Sequence, residues 1–580
     1  MLFKSAYPDI HVPPDLTLWQ WLFEGPSPAA GCSSPAAGAA AVTREYINTH
    51  TNTRLTHAQM RDAAAALSAA LVRRGLRPGD VVALVSPNAV TYPVCLHGVM
   101  RAGGVPAVTS PAANETEMRH ALRTVRARFV MCAPETLPVV RAAAAKEGID
   151  KESVFVFADE EDRVDGHVSL SELVEEGARK GCLPPVGLPT GMTSAQATAF
   201  LCFSSGTTGL PKAVIISHAN IIAQCLQLNL AYTHSPMALG LLPFYHSKSP
   251  PPPPPPPPAL PTSNTKPPTP PVSGLVRAQV HCLVSHTSIA VVPRFTMPAL
   301  LSAISTHRIA EVNLVPPILI RLAHDATVAA YDLSCVERWA TGAAPVSPEV
   351  LALLAARFPG TGFKQGYGMT ETTACATTHP PHLYDFKHGR SVGTLVAGTV
   401  MKVVNEDGVA VGVGERGEIR VKGPQIVPGY LHNPEATAAA FDAEGFLRTG
   451  DEGSVAADGQ LTIHDRIKEM IKVKGAQVAP AELEDLLLGH PAVADAAVVG
   501  VPDDYAGERP FAFVVLRPGA DAARAPDDVV AYVKEARTRS KWLAGVRVVH
   551  AIPKSPSGKI LRRILRDEYK KDAQAQRAKL

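Results

Sequence analysis

The chain has 580 residues, of which 46% are hydrophobic and 19% are charged, and its formal net charge is +3. This length exceeds one ordinary domain, and the apolar content excludes a disordered chain. The nearly balanced charge argues against a nucleic-acid surface, because the only basic cluster is the C-terminal "LRRILRDEYKKDAQAQRAKL", which is typical of a solvated amphipathic helix. No apolar run approaches about 18 residues, so we expect no integral membrane segment.

The first part of the chain alternates between helix and strand patterns. Residues 62–74 have the apolar spacing of a helix, "GLRPGD" ends it, and "VVALVSP" is typical of a buried strand. The stretches "HGVMRAGGVPAVTSP" and "HALRTVRARFVMCAPE" repeat this order. Such alternation predicts an α/β sheet with helices on its faces.

The pattern changes twice towards the C-terminus. From about 386 to 465, alternating stretches around the turn signal Asp407-Gly408 predict an antiparallel β segment. Beyond residue 480, "PAELEDLLLGHP" predicts a helix that ends near Gly489, and two apolar strands follow. We therefore predict a large N-terminal domain over residues 1–465 and a small α+β C-terminal domain over 466–580.

A low-complexity segment interrupts the large domain. Residues 248–272 consist mainly of Pro, Ser, Thr and Asn and include nine consecutive prolines. A segment of this composition cannot bury a core. The nine cysteines are scattered without a CxxC pair, which is typical of reduced thiols in an intracellular protein, and the N-terminus lacks the apolar region of a signal peptide.

One loop has the chemistry of a polyphosphate cradle. Residues 204–212 read "SSGTTGLPK" and follow the strand-like "ATAFLCF". Glycines let the backbone turn tightly and point N–H groups inward, the hydroxyls add donors, and Lys212 adds a positive charge. The loop is not a Walker A motif, because Lys212 is followed by Ala213 rather than by Ser or Thr.

This loop resembles the signature loop of the adenylate-forming superfamily, which includes acyl- and aryl-CoA synthetases, firefly luciferase and peptide-synthetase adenylation domains. The resemblance continues in order through "YH" at 245–246, "TGAAP" at 341–345, "QGYGMTE" at 365–371, "TGD" at 449–451, "DRIKEMIKVKGAQVAPAELE" at 465–484 and "PKSPSGKILRR" at 553–563. It extends over almost the whole chain and is strongest for the 4-coumarate:CoA ligase-like branch. The fold it implies is α/β and multidomain, with two α/β subdomains and a distorted β-barrel in the N-terminal body and a small mobile α+β C-terminal domain.

The resemblance implies an ATP-dependent carboxylate–CoA ligase that acts in two steps. A carboxylate and ATP would give acyl-AMP and pyrophosphate, and acyl-AMP and CoA would then give acyl-CoA and AMP. The acid would be aromatic and hydroxycinnamate-like, or a medium- or long-chain fatty acid. Because an anion must approach a polyanion in the first step, the protein must supply preorganised donors and cations.

The same resemblance assigns a nucleotide site. Thr370 would donate to a phosphate oxygen, Glu371 would hold Mg²⁺, and Asp451 would accept from both ribose hydroxyls. The residues expected at ATP or AMP are Ser204, Ser205, Gly206, Thr207, Thr208, Gly209, Lys212, Ala343, Ala344, Gln365, Gly366, Tyr367, Gly368, Met369, Thr370, Asp451, Arg466, Lys468, Lys472 and Lys559.

Further residues are expected to carry the chemistry and to bind the acid and CoA. Lys559 would bridge the substrate carboxylate and the α-phosphate from a mobile lid. The catalytic set implied by the resemblance is Lys559, His246, Thr370, Glu371, Lys472 and Gln477. CoA would meet Lys474 and Gly475, whereas Tyr245, His246 and Gly342 would line the acid pocket.

Two departures from the family pattern are visible. Thr341 stands where relatives usually have Ser, and its β-branching is expected to narrow the pocket. Removing 248–272 restores the usual His-x-x-Gly-Leu pattern as His246-Ser247-Ser273-Gly274-Leu275, so we interpret the segment as an insertion. A loop of this length costs only about 3 kcal/mol to close, although it lies beside the expected acid pocket.

Alternative interpretations remain open at this point. The chain could be luciferase-like or stop at the adenylate, or it could be a catalytically impaired ligase-fold protein whose prolines bind an SH3, WW or profilin-like module. The final Ala578-Lys579-Leu580 resembles a peroxisomal address read by an import receptor, with the cytoplasm as the alternative location.

Overall fold

The structure is a computed structural model. It describes residues 1–25, 43–157, 166–204, 211–244, 271–342, 346, 348–474, 476–503, 506–554 and 560–577. In this part of the chain, no helix is both long and apolar enough to cross a membrane.

The first elements alternate between strands and helices, as the sequence pattern predicts. They are β1 (Phe3–Lys4), α1 (Leu18–Phe23), β2 (Glu45–Asn48), β3 (Arg54–Thr56), α2 (His57–Arg73), β4 (Val81–Val85), α3 (Tyr92–Arg101), β5 (Val105–Thr109), α4 (Glu115–Val125), β6 (Phe129–Cys132), α5 (Leu137–Lys146), β7 (Val154–Val156), α6 (Leu170–Arg179), β8 (Thr198–Ser204), β9 (Lys212–Ser217), α7 (His218–Ala231) and β10 (Met237–Gly240). The predicted helix over 62–74 begins earlier, at His57, because Thr56 and Gln59 form a capping box at its N-terminus.

The elements after the Pro-rich segment complete the N-terminal body. They are α8 (Pro271–Leu275), a π-helical segment (Val276–His281), α9 (Cys282–Val284), β11 (Ser288–Val291), α10 (Met297–His307), β12 (Glu311–Leu314), α11 (Pro316–His324), β13 (Arg338–Thr341), α12 (Pro348–Arg357), β14 (Gly362–Tyr367), β15 (Thr377–Thr378), β16 (Thr394–Leu395), β17 (Val400–Val404), β18 (Gly417–Lys422), β19 (Gly429–Tyr430), α13 (Pro434–Ala440), β20 (Leu447–Val455) and β21 (Leu461–Arg466).

Seven strands form the first α/β sheet, in the order β19-β9-β8-β5-β4-β6-β7. The strands from β8 to β7 pair in parallel, and β9 runs antiparallel to β8. Leu84 packs with α2 and α3 on one face, whereas Ala83 and Val85 pack with α4 and α5 on the other. Because both faces are covered by helices, strand β4 reads as a continuous apolar run rather than as an alternating one.

The second α/β unit places three parallel strands side by side. Its sheet has the order β12-β13-β14-β15-β16, and a separate sheet has the order β10-β11-β2-β3. β12, β13 and β14 are parallel, so their carboxyl ends lie at one edge. The fully buried Trp339 of β13 packs with α10, α11 and α12 on one side of this sheet.

The predicted β segment is an antiparallel, curled half-barrel sheet in the order β1-β17-β18-β20-β21. The turn at Asp407-Gly408 is present, since Gly408 has a φ of +78° and the Asn405 N–H donates to the Val409 carbonyl over 2.9 Å. Positive φ is the conformation that glycine adopts without strain, which is why the dipeptide marked the turn correctly.

A separate sheet with its own core forms the C-terminal unit. Its elements are β22 (Ile471–Val473), β23 (Ala476–Val478), α14 (Pro480–Leu488), β24 (Val493–Asp503), β25 (Gly507–Leu516), α15 (Ala525–Ala536), β26 (Gly545–Val548) and α16 (Arg562–Arg577). The strand order is β23-β22-β25-β24, with β26 parallel to β25. The predicted multidomain α/β fold class is thus confirmed, whereas the boundary between 465 and 466 stays a prediction.

The position of Gly177 on α6 shows how closely helices α6 and α2 of the first α/β unit are packed. A Cβ at this position would lie 1.8 Å from the Ala66 carbonyl oxygen of α2. We expect Gly177→Ala to lower the midpoint of thermal unfolding, because an overpacking cost of about 1–3 kcal/mol outweighs a helix-propensity gain of about 1 kcal/mol. Glu175→Ala, at an exposed position of the same helix, is the control and should leave the midpoint nearly unchanged. An unchanged or higher midpoint for Gly177→Ala would contradict the observed α2–α6 packing.

Candidate active site

The carboxyl edge of the three parallel strands opens into a cavity. Backbone and side chains from the ends of β12, β13 and β14 meet there with residues that precede β15 and with the helix that follows the Pro-rich segment. The lining includes Leu242, Ser273, Arg277, Asn313, Thr341, Gly342, Lys364, Gln365, Gly366, Tyr367, Gly368, Cys375 and Thr378. Crevices at the carboxyl ends of parallel strands are the usual ligand sites of α/β sheets.

The turn after β14 is fixed by close backbone packing. A Cβ on Gly368 would lie 2.0 Å from the Ala374 carbonyl oxygen, and Gly366 and Tyr367 pair with Thr378 and Thr377 in an antiparallel register. Ala374 itself has a φ of +120°, a strained conformation for a residue with a side chain. Only glycine fits at 368, so the direction in which Tyr367 and the following residues leave the strand is set by the backbone.

Tyr367, Asp451 and Arg466 come together beside this turn. The Tyr367 hydroxyl donates to Asp451 Oδ2 over 2.7 Å, and Arg466 Nε lies 3.2 Å from Asp451 Oδ1. Asp451 is buried, and burial together with its carboxylate raises the pKa of Tyr367 well above its ordinary value. A carboxylate is an acceptor with about four lone-pair sites, which is the chemistry that hydroxyl donors such as those of a ribose require.

A second cluster joins three sequence-distant residues. The Tyr430 hydroxyl donates to Glu371 Oε1 over 3.0 Å, and the Lys212 ammonium lies 5.0 Å from the centre of the Tyr430 ring. Strand β19 brings Tyr430 here by pairing with β9 opposite Val214. Burial and the neighbouring Glu371 raise the pKa of Tyr430, so its hydroxyl stays a donor. The sequence analysis missed Tyr430, for which the "PGY" turn signal at 428–430 was the only indication.

Three further residues that the sequence predicts at the nucleotide, Ser204, Gln365 and Thr370, lie in different parts of the fold. Ser204 is buried at the end of β8 and pairs with Lys212, the first residue of β9. The Gln365 side-chain amide donates to the carbonyls of Gly389 and Ser391, over 2.8 and 3.2 Å. Thr370 is buried in the short turn Thr370–Thr372, and the Met369 N–H donates to Thr372 Oγ1.

Of the predicted C-terminal residues that the structure describes, Lys472, Lys474 and Gln477 are not among those that line this cavity. Lys472 is exposed on β22 and its N–H donates to Glu508, while Lys474 adopts a left-handed conformation with a φ of +50°. The Gln477 amide donates to Glu406 Oε1 in the hairpin turn between β17 and β18. The contact between Gln477 and Glu406 joins the C-terminal unit to the half-barrel sheet.

Several predicted residues lie outside the described part of the chain. These are Ser205, Gly206, Thr207, Thr208, Gly209, Tyr245, His246, Ala343, Ala344, Gly475 and Lys559, together with the side chain of Lys468, the terminal Ala578-Lys579-Leu580 and residues 248–270 of the Pro-rich segment.

The two flanks of the Pro-rich segment meet at the cavity wall. A Cβ on Gly274 would lie 2.3 Å from the Pro243 carbonyl oxygen, and both residues belong to chain that borders the segment. On the N-terminal side, the buried Asn88 side chain accepts from the Phe244 N–H and donates to the carbonyls of Gly240 and Leu242. The chain therefore leaves and returns at nearly the same place, as the insertion hypothesis requires.

Comparison with known protein families divides the chain into an N-terminal part and a C-terminal part. A family model described as AMP-binding enzyme matches residues 35–249 and 273–431, and one described as AMP-binding enzyme C-terminal domain matches residues 482–559. The chain belongs to the AMP-binding enzyme family. Within it, the chain falls among the adenylate-forming acyl- and aryl-CoA ligases and has 4-coumarate–CoA ligase relatives. The match is interrupted between residues 249 and 273, where the Pro-rich segment lies.

Individual relatives cover nearly the whole chain. A 4-coumarate–CoA ligase from Oryza sativa subsp. japonica is 35% identical over 97% of this chain and 94% of its own length. A 4-coumarate–CoA ligase-like protein from Arabidopsis thaliana is 32% identical over 98% of this chain and 97% of its own. The ATP-bound structure of MatB from Rhodopseudomonas palustris aligns with a TM-score of 0.78 and 25% identity, over 96% of this chain and 99% of that one.

A buried ion-pair network lies beside the cavity, which two of its members, Arg277 and Lys364, line, and no pattern in the sequence indicated this network. Glu311 of β12 receives Arg277 Nη2 at 2.8 Å and Lys364 Nζ at 2.7 Å on Oε1, and Arg338 Nε at 2.8 Å on Oε2. Burial alone would raise the pKa of Glu311, but Lys364 and Arg277 hold it below its ordinary value. Glu311 is therefore an anion shared by three cations.

We expect Glu311→Gln to destabilise the protein strongly. Without the carboxylate, the cations around position 311 lose their buried counter-charge, and breaking a buried pair in this way costs about 3–5 kcal/mol. The free energy of unfolding of the first cooperative transition in urea measures the effect. The control is Asp332→Asn, which breaks a 2.7 Å pair with Arg308 whose side chains are 54% and 60% exposed and should cost under about 1 kcal/mol. Equal costs would show that the network is not held by its charges.

Proposed function

We propose that the chain is an ATP-dependent carboxylate–CoA ligase that acts in two steps. In the first, a carboxylate oxygen attacks the α-phosphorus of ATP, the bond from that phosphorus to the β-phosphate oxygen breaks, and pyrophosphate leaves. In the second, the CoA sulfur attacks the acyl carbon, the bond to AMP breaks, and the thiol proton is released. The proposal rests on family membership and on the convergence of two polar clusters around the turn after β14.

The observation that carries the proposal is that the segment around the turn after β14 contacts both polar clusters. Tyr367, the last residue of β14 before the turn, contacts Asp451, and Glu371 four positions later contacts Tyr430 beside Lys212. A single rigid segment thus connects an acceptor suited to ribose hydroxyls with a set of groups suited to phosphates. Preorganised donors and charges of this kind lower the barrier for attack on a phosphate.

Glu371 is the residue that would hold Mg²⁺. Among the described residues, no group of three or more His, Cys, Asp or Glu side chains could enclose a metal ion. This fits Mg²⁺, which is commonly held by one or two carboxylates, water and substrate phosphates rather than by an all-protein cage. When bound, the ion would neutralise phosphate charge, while Tyr430 orients the Glu371 carboxylate through its hydrogen bond.

The C-terminal unit would supply different residues to each step. Lys559 is proposed to act at the α-phosphate in the first step, and Lys474, Gly475 and Gln477 at CoA in the second. Gln477 contacts Glu406 of the half-barrel sheet, which supports a docked position for β23 at that sheet. Alternation between two docked positions would let one small domain serve both steps.

The substrate is proposed to be an aromatic, hydroxycinnamate-like acid or a medium- or long-chain fatty acid. The two named plant relatives support an aromatic acid. An adenylate-only or luciferase-like activity is the second candidate, since the two polar clusters at the turn, around Asp451 and Glu371, suit a nucleotide and contain none of the residues proposed to act on CoA.

A panel of carboxylic acids with ATP, Mg²⁺ and CoA tests the proposal. We expect pyrophosphate release and acyl-CoA formation with at least one acid, both in the full chain and in a variant lacking residues 248–272, because Gly274 already packs against Pro243. Reactions without CoA are the control and should stop at the adenylate. Pyrophosphate release without acyl-CoA would support the adenylate-only candidate, and no turnover in either protein would contradict the ligase assignment.

Lys559→Ala should separate the two steps. We expect it to abolish acid-dependent ATP–pyrophosphate exchange and to preserve thioester formation from a preformed acyl-adenylate, because the lysine is needed only while the α-phosphate carries developing charge. Lys554→Ala is the control, since this lysine pairs with Asp495 at 2.6 Å inside the C-terminal unit. Equal loss of both steps in Lys559→Ala would argue against separate residues for each step.

A further inference from the structure

The buried ion-pair network lies where the acid pocket extends away from the nucleotide. Arg277 and Asn313 line the cavity at the strand ends, and both also line a second cavity that continues towards His281. Glu311 and Asn313 are two positions apart on β12 and share a face, whereas Val312 and Leu314 pack in the apolar core on the other side. The network is therefore at the junction of the two cavities.

The charges of this network do not balance within the described residues. Arg277 and Lys364 share one oxygen of Glu311, and Arg338 takes the other and has a second partner in the exposed Glu337. Two cations beside the cavity thus have one carboxylate between them. A buried charge without a counter-charge is costly, so the cavity wall has one positive charge for which a bound anion would compensate.

The positive charge that lacks a counter-charge among the described residues is accessible from the cavity. The Arg277 side chain is 25% exposed although its neighbours Val276 and Ala278 are buried, and its guanidinium lies 5.0 Å from the centre of the Tyr232 ring. The Lys364 side chain is only 3% exposed, and its ammonium lies 3.7 Å from the same ring. Glu311 and Tyr232 hold both cations in place, which is the preorganisation that an anion-binding site needs.

We propose that Arg277 and Lys364 form an anion subsite in the acid pocket, and that the acid used by this protein carries a second carboxylate distant from the one that is activated. This inference rests on the proposed ligase function and specifies its substrate class. A planar guanidinium with free N–H groups suits a carboxylate, which it can bind through two parallel hydrogen bonds. An unsubstituted alkyl chain would leave the cation without compensation, so the network disfavours simple fatty acids.

Wild-type selectivity is the first test. The probes are the dicarboxylic acids from succinate to sebacate and 4-carboxycinnamate, each compared with its monomethyl ester in the acyl-CoA assay. We expect at least one diacid to exceed its ester in kcat/KM by about tenfold to 100-fold, the range for a hydrogen bond to a charged group. If esters, fatty acids or phenolic cinnamates react and no diacid is preferred, this inference is wrong and the ligase function stands. If no acid reacts, the ligase function itself fails.

A matched pair of variants separates binding from stability. Arg277→Met removes a cation that lines both cavities, whereas Arg338→Met removes one that pairs with the same Glu311 and lines neither. We expect the preference for the diacid over its ester to vanish in Arg277→Met and to persist in Arg338→Met. Persistence in both variants, or loss in both, would overturn the proposal. If Arg277→Met does not fold, the comparison of each diacid with its monomethyl ester in the wild-type protein still tests the proposal.

The pH dependence of the same ratio is an independent test in the wild-type protein. The ionisable groups facing Lys364 are Tyr232 after α7, Arg277 on the π-helical segment, Glu311 on β12, Arg338 on β13, Cys375 before β15 and Tyr384. Burial raises the pKa of Cys375 and Tyr384 to about 12, and burial lowers the pKa of the nearby His234, His281 and His379. These groups keep one charge state in mildly alkaline solution.

Lys364 alone among these groups titrates in that range. Burial, partly offset by Glu311, lowers the pKa of Lys364 to about 8, so the ammonium is charged below this pH and neutral above it. The kcat/KM of the preferred diacid relative to its ester should therefore fall as the pH rises through about 8. Taking the ratio cancels the titration of CoA and of other groups common to both substrates. A ratio that is constant or rises with pH would contradict a role for Lys364 in holding the anion.

Discussion

The close backbone packing of the turn after β14 is the constraint on which the rest of the site depends. Gly368 leaves no space for a side chain against Ala374, and the pairing of Gly366 and Tyr367 with β15 fixes the turn on its other side. Because the backbone of this segment is fixed, Tyr367 is positioned to reach Asp451 and Glu371 to reach Tyr430. Three sheets hold this segment and its partners in place, since Tyr367 lies on β14, Tyr430 on β19 and Asp451 on β20.

The balance of positive and negative side chains differs between the two ends of the cavity. Near the turn, Asp451 and Glu371 each accept from a tyrosine hydroxyl, and the Asp451 carboxylate also pairs with Arg466. Around Glu311 the positive charges exceed the negative one, and the aromatic ring of Tyr232 lies against two of the cations. An acid bound between them would meet phosphate-directed groups at one end and a buried cation at the other.

The Pro-rich segment illustrates how an insertion can be compatible with a functional site. Loop closure becomes only slightly more costly as a loop lengthens, so the contact between Gly274 and Pro243 can hold both flanks together. The wall of the cavity is then built by the flanks, and α8 with the π-helical segment continues directly to Arg277. The motifs before and after the insertion keep their order, because the two flanks of the insertion pack together and leave the fold continuous.

The sequence by itself determined elements throughout the chain, whereas the nucleotide site that it indicates stays a prediction. Helix α2, strand β4, the turn at Gly408 and helix α14 follow from local patterns, because capping, apolar periodicity and glycine conformation act over a few residues. Tyr430 and the network of Arg277, Glu311 and Lys364 were decided only by the tertiary structure. Their partners lie tens of residues apart or more, and strand order together with the packing of the π-helical segment and the turn after β14 makes them neighbours. Whether a charged side chain is buried, paired or in excess depends on those neighbours, and no local pattern encodes it.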